Sequence, residues 1–332
     1  NEPEKFEQKA VFLRGYRFED EVRKIYAKGQ KVLDLSPEKV KWIKPKERTE
    51  QAINSKDINV IFEGAFEYLN TLVRTDVLIR KKKGWELLEA KSATKFKPEE
   101  HIQDIAIQSF IVRECMKQLG HDLISSKLIH INKNFTLEND GDYKDLVNDE
   151  NDITSEIIEI EKEIPNYIKD LMPLTNENLP CPDVEMGNHC KKPYDCDYQD
   201  KCKSLLPKSN GTPYTILPYI GSDKELQEYM KKKVTMDLQK VPSKFFKDRK
   251  DYAPGYHKII QDADKNKEPW FGPNLKNVFK EFSFPFYFMD FETIMQGVPI
   301  IKGTQPYYPL PFQWSVHKWE SIDKEINDGE SF

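Results

Sequence analysis

Residues 73–80 and 85–92 read as two β-strands, and between them stands Lys81-Lys82-Lys83-Gly84, a tight turn that ends in glycine. No other stretch of the chain constrains its fold as strongly, because so short a connection leaves only two registers. A two-residue loop at Lys82-Lys83 sets Asp76 opposite Glu89, and a loop at Lys83-Gly84 sets Asp76 opposite Lys91. Directly opposed side chains on such a ladder have Cβ atoms roughly 4.5–5.5 Å apart. Glu89 and Lys91 also share one face of their strand, since side chains alternate with a period of two. In either register the hairpin gathers two carboxylates and one ammonium.

Two carboxylates this close repel each other unless a cation lies between them or one is protonated. Hard oxygen ligands suit Mg²⁺ or Mn²⁺, and Mg²⁺ takes one or two protein carboxylates while keeping positions for water and phosphate. A bound ion lowers the pKa of its water, and Lys91 would hold that water or neutralise charge developing on a phosphate. The residues alone also allow a surface hairpin with a cross-strand salt bridge, worth about 0–1 kcal/mol.

With Asp76 as the first acid and Glu89-Ala90-Lys91 as the (D/E)-x-K element, the chain resembles the PD-(D/E)XK nuclease superfamily in its RecB-like branch. The wider run from Ile61-Phe62-Glu63-Gly64-Ala65 to Ile129-His130-Ile131-Asn132 is similar to an uncharacterised bacterial family of that branch. The resemblance implies a metal-dependent DNA nuclease in which Asp76 and Glu89 bind Mg²⁺ or Mn²⁺ and Lys91 positions the attacking water. It also implies a further acid from a helix before the hairpin. A helix expected over 4–28 carries Phe18, Val22, Ile25 and Tyr26 as one apolar stripe, flanked by Glu19 and Glu21. The register after Gly15 favours Glu19. The branch places a Gln-x-x-x-Tyr element on the next helix, expected here over 98–119, and this chain lacks it. Asp104 and Gln108 have its spacing, and Gln108 would contact a metal-bound water or a phosphate.

Four of the five cysteines are clustered as Cys181-x8-Cys190-x5-Cys196-x5-Cys202, while Cys115 stands apart as an ordinary packed thiol. The chain shows no signal peptide and no apolar run of about 18 residues, so a cytoplasmic protein without a membrane partner is expected. Disulfides are rare there, and clustered cysteines more often bind metal. None of the spacings is a short zinc knuckle, and looser spacing suits an iron–sulfur cluster. The RecB-like resemblance implies a [4Fe–4S] cluster, with zinc as the alternative and His189 as a substitute ligand. Either metal would staple a loop too poor in apolar residues to order itself.

Towards the end, Phe282 to Thr293 is a strongly apolar strand that ends in Asp290-Phe291-Glu292, two acids on one strand face. This run resembles the first motif of DnaQ-like, RNase H-fold 3′–5′ exonucleases, with Pro311 to His317 as the second strand, and it implies a second metal site. The later acids such a site needs do not occur before Phe332, so the domain is expected to be incomplete.

Acidic and basic residues nearly balance at a net charge of −5, so any nucleic-acid contact must use local patches. Lys81, Lys82 and Lys83 at the turn, with Lys95 and Lys97 beyond Lys91, are expected beside the acidic cluster as DNA contacts. RNA is a less favoured substrate. Lys231-Lys232-Lys233 lies on a helix expected to open on the capping box Ser222-x-x-Glu225. Residues 138–156 read as an acidic loop, a helix over 154–172 as kinked at Pro165, and 244–277 as irregular. The expected fold is α/β, with a nuclease core over 1–175, a cysteine loop over 176–206, a helical or irregular linker over 207–277 and a partial RNase H-like domain over 278–332. A non-catalytic nucleic-acid-binding or assembly module on the same fold is the alternative reading.

Overall fold

A computed structural model describes residues 6–36, 44–176, 178–180, 184, 186, 188–190, 195–205, 211–220, 223–326 and 330–331. The chain divides into two units that interleave along the sequence. The first comprises 1–180, 287–318 and 326–332, and the second 181–286 and 319–325.

The first unit is a mixed α/β structure, a six-stranded sheet flanked by helices. In chain order it contains α1 (Phe6–Ala27), β1 (Val32–Asp34), α2 (Pro45–Asn54), β2 (Val60–Tyr68), β3 (Thr71–Lys81), β4 (Gly84–Lys91), α3 (Pro98–Gln118), β5 (Leu123–Ile131), β6 (Val147–Asp152), α4 (Thr154–Glu161) and α5 (Ile164–Leu171). The strands lie in sequence order; β1–β2 and β4–β5 are parallel and the other neighbours antiparallel. Period-two alternation builds both cores. Ile61, Leu78, Leu87 and Leu128 pack under α2, α3 and α4, while Val60, Val77, Leu88 and Ile129 pack under Phe18 and Val22 of α1.

The hairpin has the two-residue loop. Lys81 pairs with Gly84 and Val77 with Leu88, the register that sets Asp76 level with Glu89. Gly84 is required where it stands, because a Cβ there would meet the Asp122 carbonyl oxygen at 2.5 Å. Beside it, Arg80 locks α2 to the sheet. Its guanidinium donates to the carbonyls of Ala52, Ile53, Ser55 and Ile58 at 2.7–3.3 Å and lies 4.2 Å over the Trp85 ring. It thereby satisfies the orphan carbonyls of a helix end.

Two expectations over 138–172 need correction. The acidic stretch holds the edge strand β6, and Leu137, Leu146 and Ile153 are buried around it. A few apolar positions among many acids suffice for an edge strand with one covered face. The helix expected over 154–172 is two helices, broken before Pro165, whose ring cannot continue the upstream turn.

Also in the first unit, β7 (Phe286–Met295, with Phe286 at the boundary), β8 (Pro309–Trp319, ending in Trp319 of the second unit) and β9 (Glu330–Ser331) form a three-stranded sheet. Both long strands are largely exposed. The 296–308 loop between them packs on the main core, where Val298 is buried with Ile131, Phe135 and Leu137.

The second unit contains α6 (Gln199–Leu205), α7 (Lys224–Lys232), α8 (Tyr256–Asn266) and α9 (Leu275–Lys280). Its own small core is made of Tyr214, Leu217, Ile220, Leu226, Met230, Leu238 and Val241. The stretch expected to be irregular thus carries α8. His257 fixes it there, accepting from the Lys247 amide and donating through Nε2 to the Pro218 carbonyl at 2.8 Å. The cap of α7 is Asp223, which accepts from the amides of Glu225 and Leu226. Ser222, the cap expected from the sequence, lies outside the described residues.

Candidate functional site

The ladder between β3 and β4 stops where the acids begin. Val77–Leu88 is its last pair, and beyond it the Ala90 amide donates to Asp76 Oδ2 at 2.7 Å. Core parity reverses at the same level. Val77 and Val73 pack on opposite faces, as do Phe62 and Phe66 of β2. Glu63 sits at that reversal in β2, with a left-handed φ of 55°, between Phe62 (paired with Val77) and Gly64 (paired with Thr75). Glu63, Asp76 and Glu89 therefore stand level across three neighbouring strands. A strained non-glycine residue of this kind persists only where its surroundings over-determine it.

Glu89 and Lys91 share the face of Leu87, so both turn to α3. Lys91 Nζ donates to Glu89 Oε1 at 2.8 Å and to Asp104 Oδ2, while Gln108 Nε2 donates to Glu89 Oε2 at 2.8 Å. Asp104 and Gln108, one helical turn apart, meet the strand as an adjacent pair. From the other side α1 brings in Glu19. Glu21, its rival, is buried on the same helix and pairs with Lys24 at 2.8 Å.

Glu89 is 5% exposed, and burial, then the Asp76 charge, raise its pKa well above the ordinary value. Asp76 keeps more access to solvent. Burial pushes it up to about 7, against the Ala90 hydrogen bond, and Glu19 and Glu63 add to the rise. Glu19 is raised by burial, opposed by Arg23 and reinforced by Glu63 and Glu89. Burial pulls the Lys91 pKa down, but Glu89 and Asp104 outweigh it and hold the ammonium charged. Arg23 and Arg74 reach Glu63 at 3.6 and 3.1 Å. Five carboxylates (Glu19, Glu63, Asp76, Glu89 and Asp104) thus face three cations (Arg23, Arg74 and Lys91). Such an excess of closely spaced carboxylates favours a proton or an added cation.

The cluster unites Asp76, Glu89, Lys91, Glu19 and Gln108, as the sequence suggested, and adds Glu63 and Asp104. A lone acid inside the apolar run Val60-Ile61-Phe62-Glu63-Gly64 was the available sign for Glu63. Among the described residues no three His, Cys, Asp or Glu side chains are gathered so as to enclose a metal ion. The donor chemistry of Asp76 and Glu89 still suits a magnesium-like ion, which needs only one or two carboxylates.

The lysines divide. Lys81, Lys82 and Lys83 lie at the turn, five residues or roughly 17 Å along the strands from the acids, and Lys81 is engaged by Glu86. They do not stand beside the cluster as expected. Lys95 and Lys97 do follow it, exposed between β4 and α3. Asp290 and Glu292 are exposed on β7 and line a shallow cavity with Gln313, Trp314 and Ser315 of β8.

Of the cysteine cluster, Cys181 lies outside the described residues. Cys190 is buried, and Cys196 and Cys202 are half-buried. The Cys196 amide donates to the Cys190 carbonyl at 2.9 Å, closing one loop that carries both thiols. His189 is exposed, and Cys115 packs against the α3 core.

Residues 287–331 match the family described as "Domain of unknown function (DUF2779)". That segment holds Asp290 and Glu292 on β7 and the 296–308 loop. No curated protein and no solved structure matches the chain. Among the described residues no helix is long and apolar enough to cross a membrane.

Proposed function

We propose that the chain is a divalent-metal-dependent nuclease that hydrolyses DNA phosphodiester bonds on a PD-(D/E)XK core of the RecB-like kind. The observation that carries this reading is the Asp76–Glu89–Lys91 cluster, with its raised carboxylate pKa values and an ammonium held charged beside them. Asp76 and Glu89, with Glu19 nearby, would hold Mg²⁺ or Mn²⁺, which supplies Lewis acidity toward a phosphate and a lowered pKa for bound water.

The protein's own groups have separable tasks. Lys91 stays protonated at neutral pH, so it acts as a donor to the attacking water or to a phosphate oxygen and not as a general base. Gln108 orients the Glu89 carboxylate, and Asp104 shares Lys91. Lys95 and Lys97 would meet the nucleic-acid backbone. The thiols of Cys190, Cys196 and Cys202, completed by Cys181, are donors suited to a structural [4Fe–4S] cluster or to zinc. The 287–331 segment would be the start of an RNase H-like exonuclease domain, with Asp290 and Glu292 as its first acids.

The test is cleavage of labelled single- and double-stranded DNA with Mg²⁺, Mn²⁺ or EDTA, using wild type beside Lys91→Ala, and RNA as a parallel substrate. Metal-dependent cutting that vanishes in the variant supports the reading, and cutting that survives there removes the cluster from the chemistry. A binding module without catalysis is the second reading, favoured by the double engagement of Lys91 by Glu89 and Asp104. It predicts metal-independent DNA binding and no cutting by the wild type.

A further inference from the structure

The strand that carries Glu89 and Lys91 is held at its end by more than its own sheet. Its pairing with β5 finishes at Lys91–His130. The chain then turns sharply, with the Ala93 amide donating to the Lys91 carbonyl at 2.7 Å and the Ile131 amide to the Ala93 carbonyl at 2.9 Å. The carbonyl between them, on Ser92, is taken by the hydroxyl of Tyr307, which also lies 3.3 Å from Ser92 Oγ.

Tyr307 reaches that point from the 296–308 loop, which is fastened to the core along its length. Its own amide donates to the Gln296 carbonyl at 2.7 Å, closing the loop. Gly303 and Thr304 exchange backbone bonds with Leu137, Tyr143 donates to the Pro299 carbonyl, and Val298 is buried. Tyr307 itself has a left-handed φ of 58°, a conformation that a bulky residue keeps only where its surroundings demand it. Gly297 has the matching requirement, because a Cβ there would stand 3.0 Å from Ile131 Cδ1 and 3.1 Å from both Ser92 Oγ and Tyr307 Oη.

We propose that Tyr307 is a positioning residue for Lys91, holding the end of β4 through the Ser92 carbonyl so that the ammonium stays over the acidic cluster. This rests on the nuclease reading. Tyr307 touches no reacting atom and leaves Asp76 and Glu89 unchanged, so its loss should lower turnover more than substrate binding.

Tyr307→Phe in the full chain keeps the ring and removes only the hydroxyl. One neutral hydrogen bond corresponds to a change of roughly 3- to 10-fold. Backbone hydrogen exchange over 90–94 should accelerate by about that factor, and kcat should fall by at least as much with KM unchanged. Gly297→Ala, which forces the loop away, should produce the same exchange signature. Unchanged exchange, or faster exchange with unaltered kcat, overturns the proposal. Equal losses in kcat, affinity and Tm also overturn it, because they indicate general loosening. Failure of the nuclease reading shows separately, as a wild type that cuts nothing under any metal while the exchange difference still reports on the clamp.

Discussion

Gln108 Nε2 donates to Glu89 Oε2 at 2.8 Å, and the carbonyl oxygen of the same amide is buried without a hydrogen-bond partner. A buried acceptor left unmade costs roughly 1–3 kcal/mol, a cost that a metal-bound water would relieve by donating to it. Gln108→Leu removes both the donor and the orphan. Because the change also strands the buried Glu89 Oε2, its two effects on stability oppose each other, and we expect a higher metal requirement and cleavage reduced by roughly 10- to 100-fold. Calorimetric Mn²⁺ titration beside the cleavage assay checks this, and wild-type values for both would show the amide to be a bystander.

In metal-free buffer Asp76 makes the protein sensitive to pH in an unusual direction. Its folded pKa is pushed up to about 7, whereas an unfolded aspartate titrates near about 3.9. Between those values the folded state keeps a proton that the unfolded state has shed, so this group lowers stability as pH rises from about 4 to about 7. Asp76→Asn should therefore raise Tm in metal-free buffer at pH 8 by roughly 2–4 °C, after discounting for the partial exposure of the carboxyl. The gain should vanish near pH 4, and cleavage should be lost. Melting curves of both proteins across that range decide it; a gain that grows toward acid would contradict the sign.

Arg80 offers a test of the scaffold apart from the cluster. Lysine cannot reproduce its fork across four carbonyls or its stacking on Trp85. Arg80→Lys should cost about 2–3 kcal/mol, lowering Tm by roughly 4–8 °C, with cleavage retained at 25 °C. Thermal unfolding followed by circular dichroism would expose a mistake here as an unchanged midpoint.

The cysteine loop can be examined by metal content. Cys190→Ala in protein purified without oxygen should lose iron and visible colour, or zinc if the site is a zinc site. The hairpin and its acids should stay folded. Elemental analysis distinguishes the two metals, and a wild type free of both would remove the staple.

Much of this site could be read in advance because it is local. Turn length and strand parity are enough to bring Asp76 level with Glu89, and the four-residue spacing of Asp104 and Gln108 needs only helix geometry. Glu63 is not legible in the same way, because one acid in an apolar strand leaves no periodic mark and its place depends on the register of β2 against β3. Helix α8 was hidden by a composition rich in lysine and aspartate, although buried Tyr256, His257 and Gln261 hold it. The lysines at the turn are near the acids in sequence but not in space, because an extended strand carries them away.

Tyr307 could not have been read from sequence, since 215 residues separate it from Ser92. That separation has a consequence for how the molecule is born. Synthesis runs from the amino terminus, so the strand bearing Glu89 and Lys91 leaves the ribosome long before the loop that anchors its end. Until residues 296–308 emerge, the nascent core lacks Val298 and the clasp on Ser92, and its acidic cluster rests on an unfinished strand end. An acidic cluster assembled this way comes into register late in translation, and shortening the chain to residue 286 would hold it permanently in that immature state.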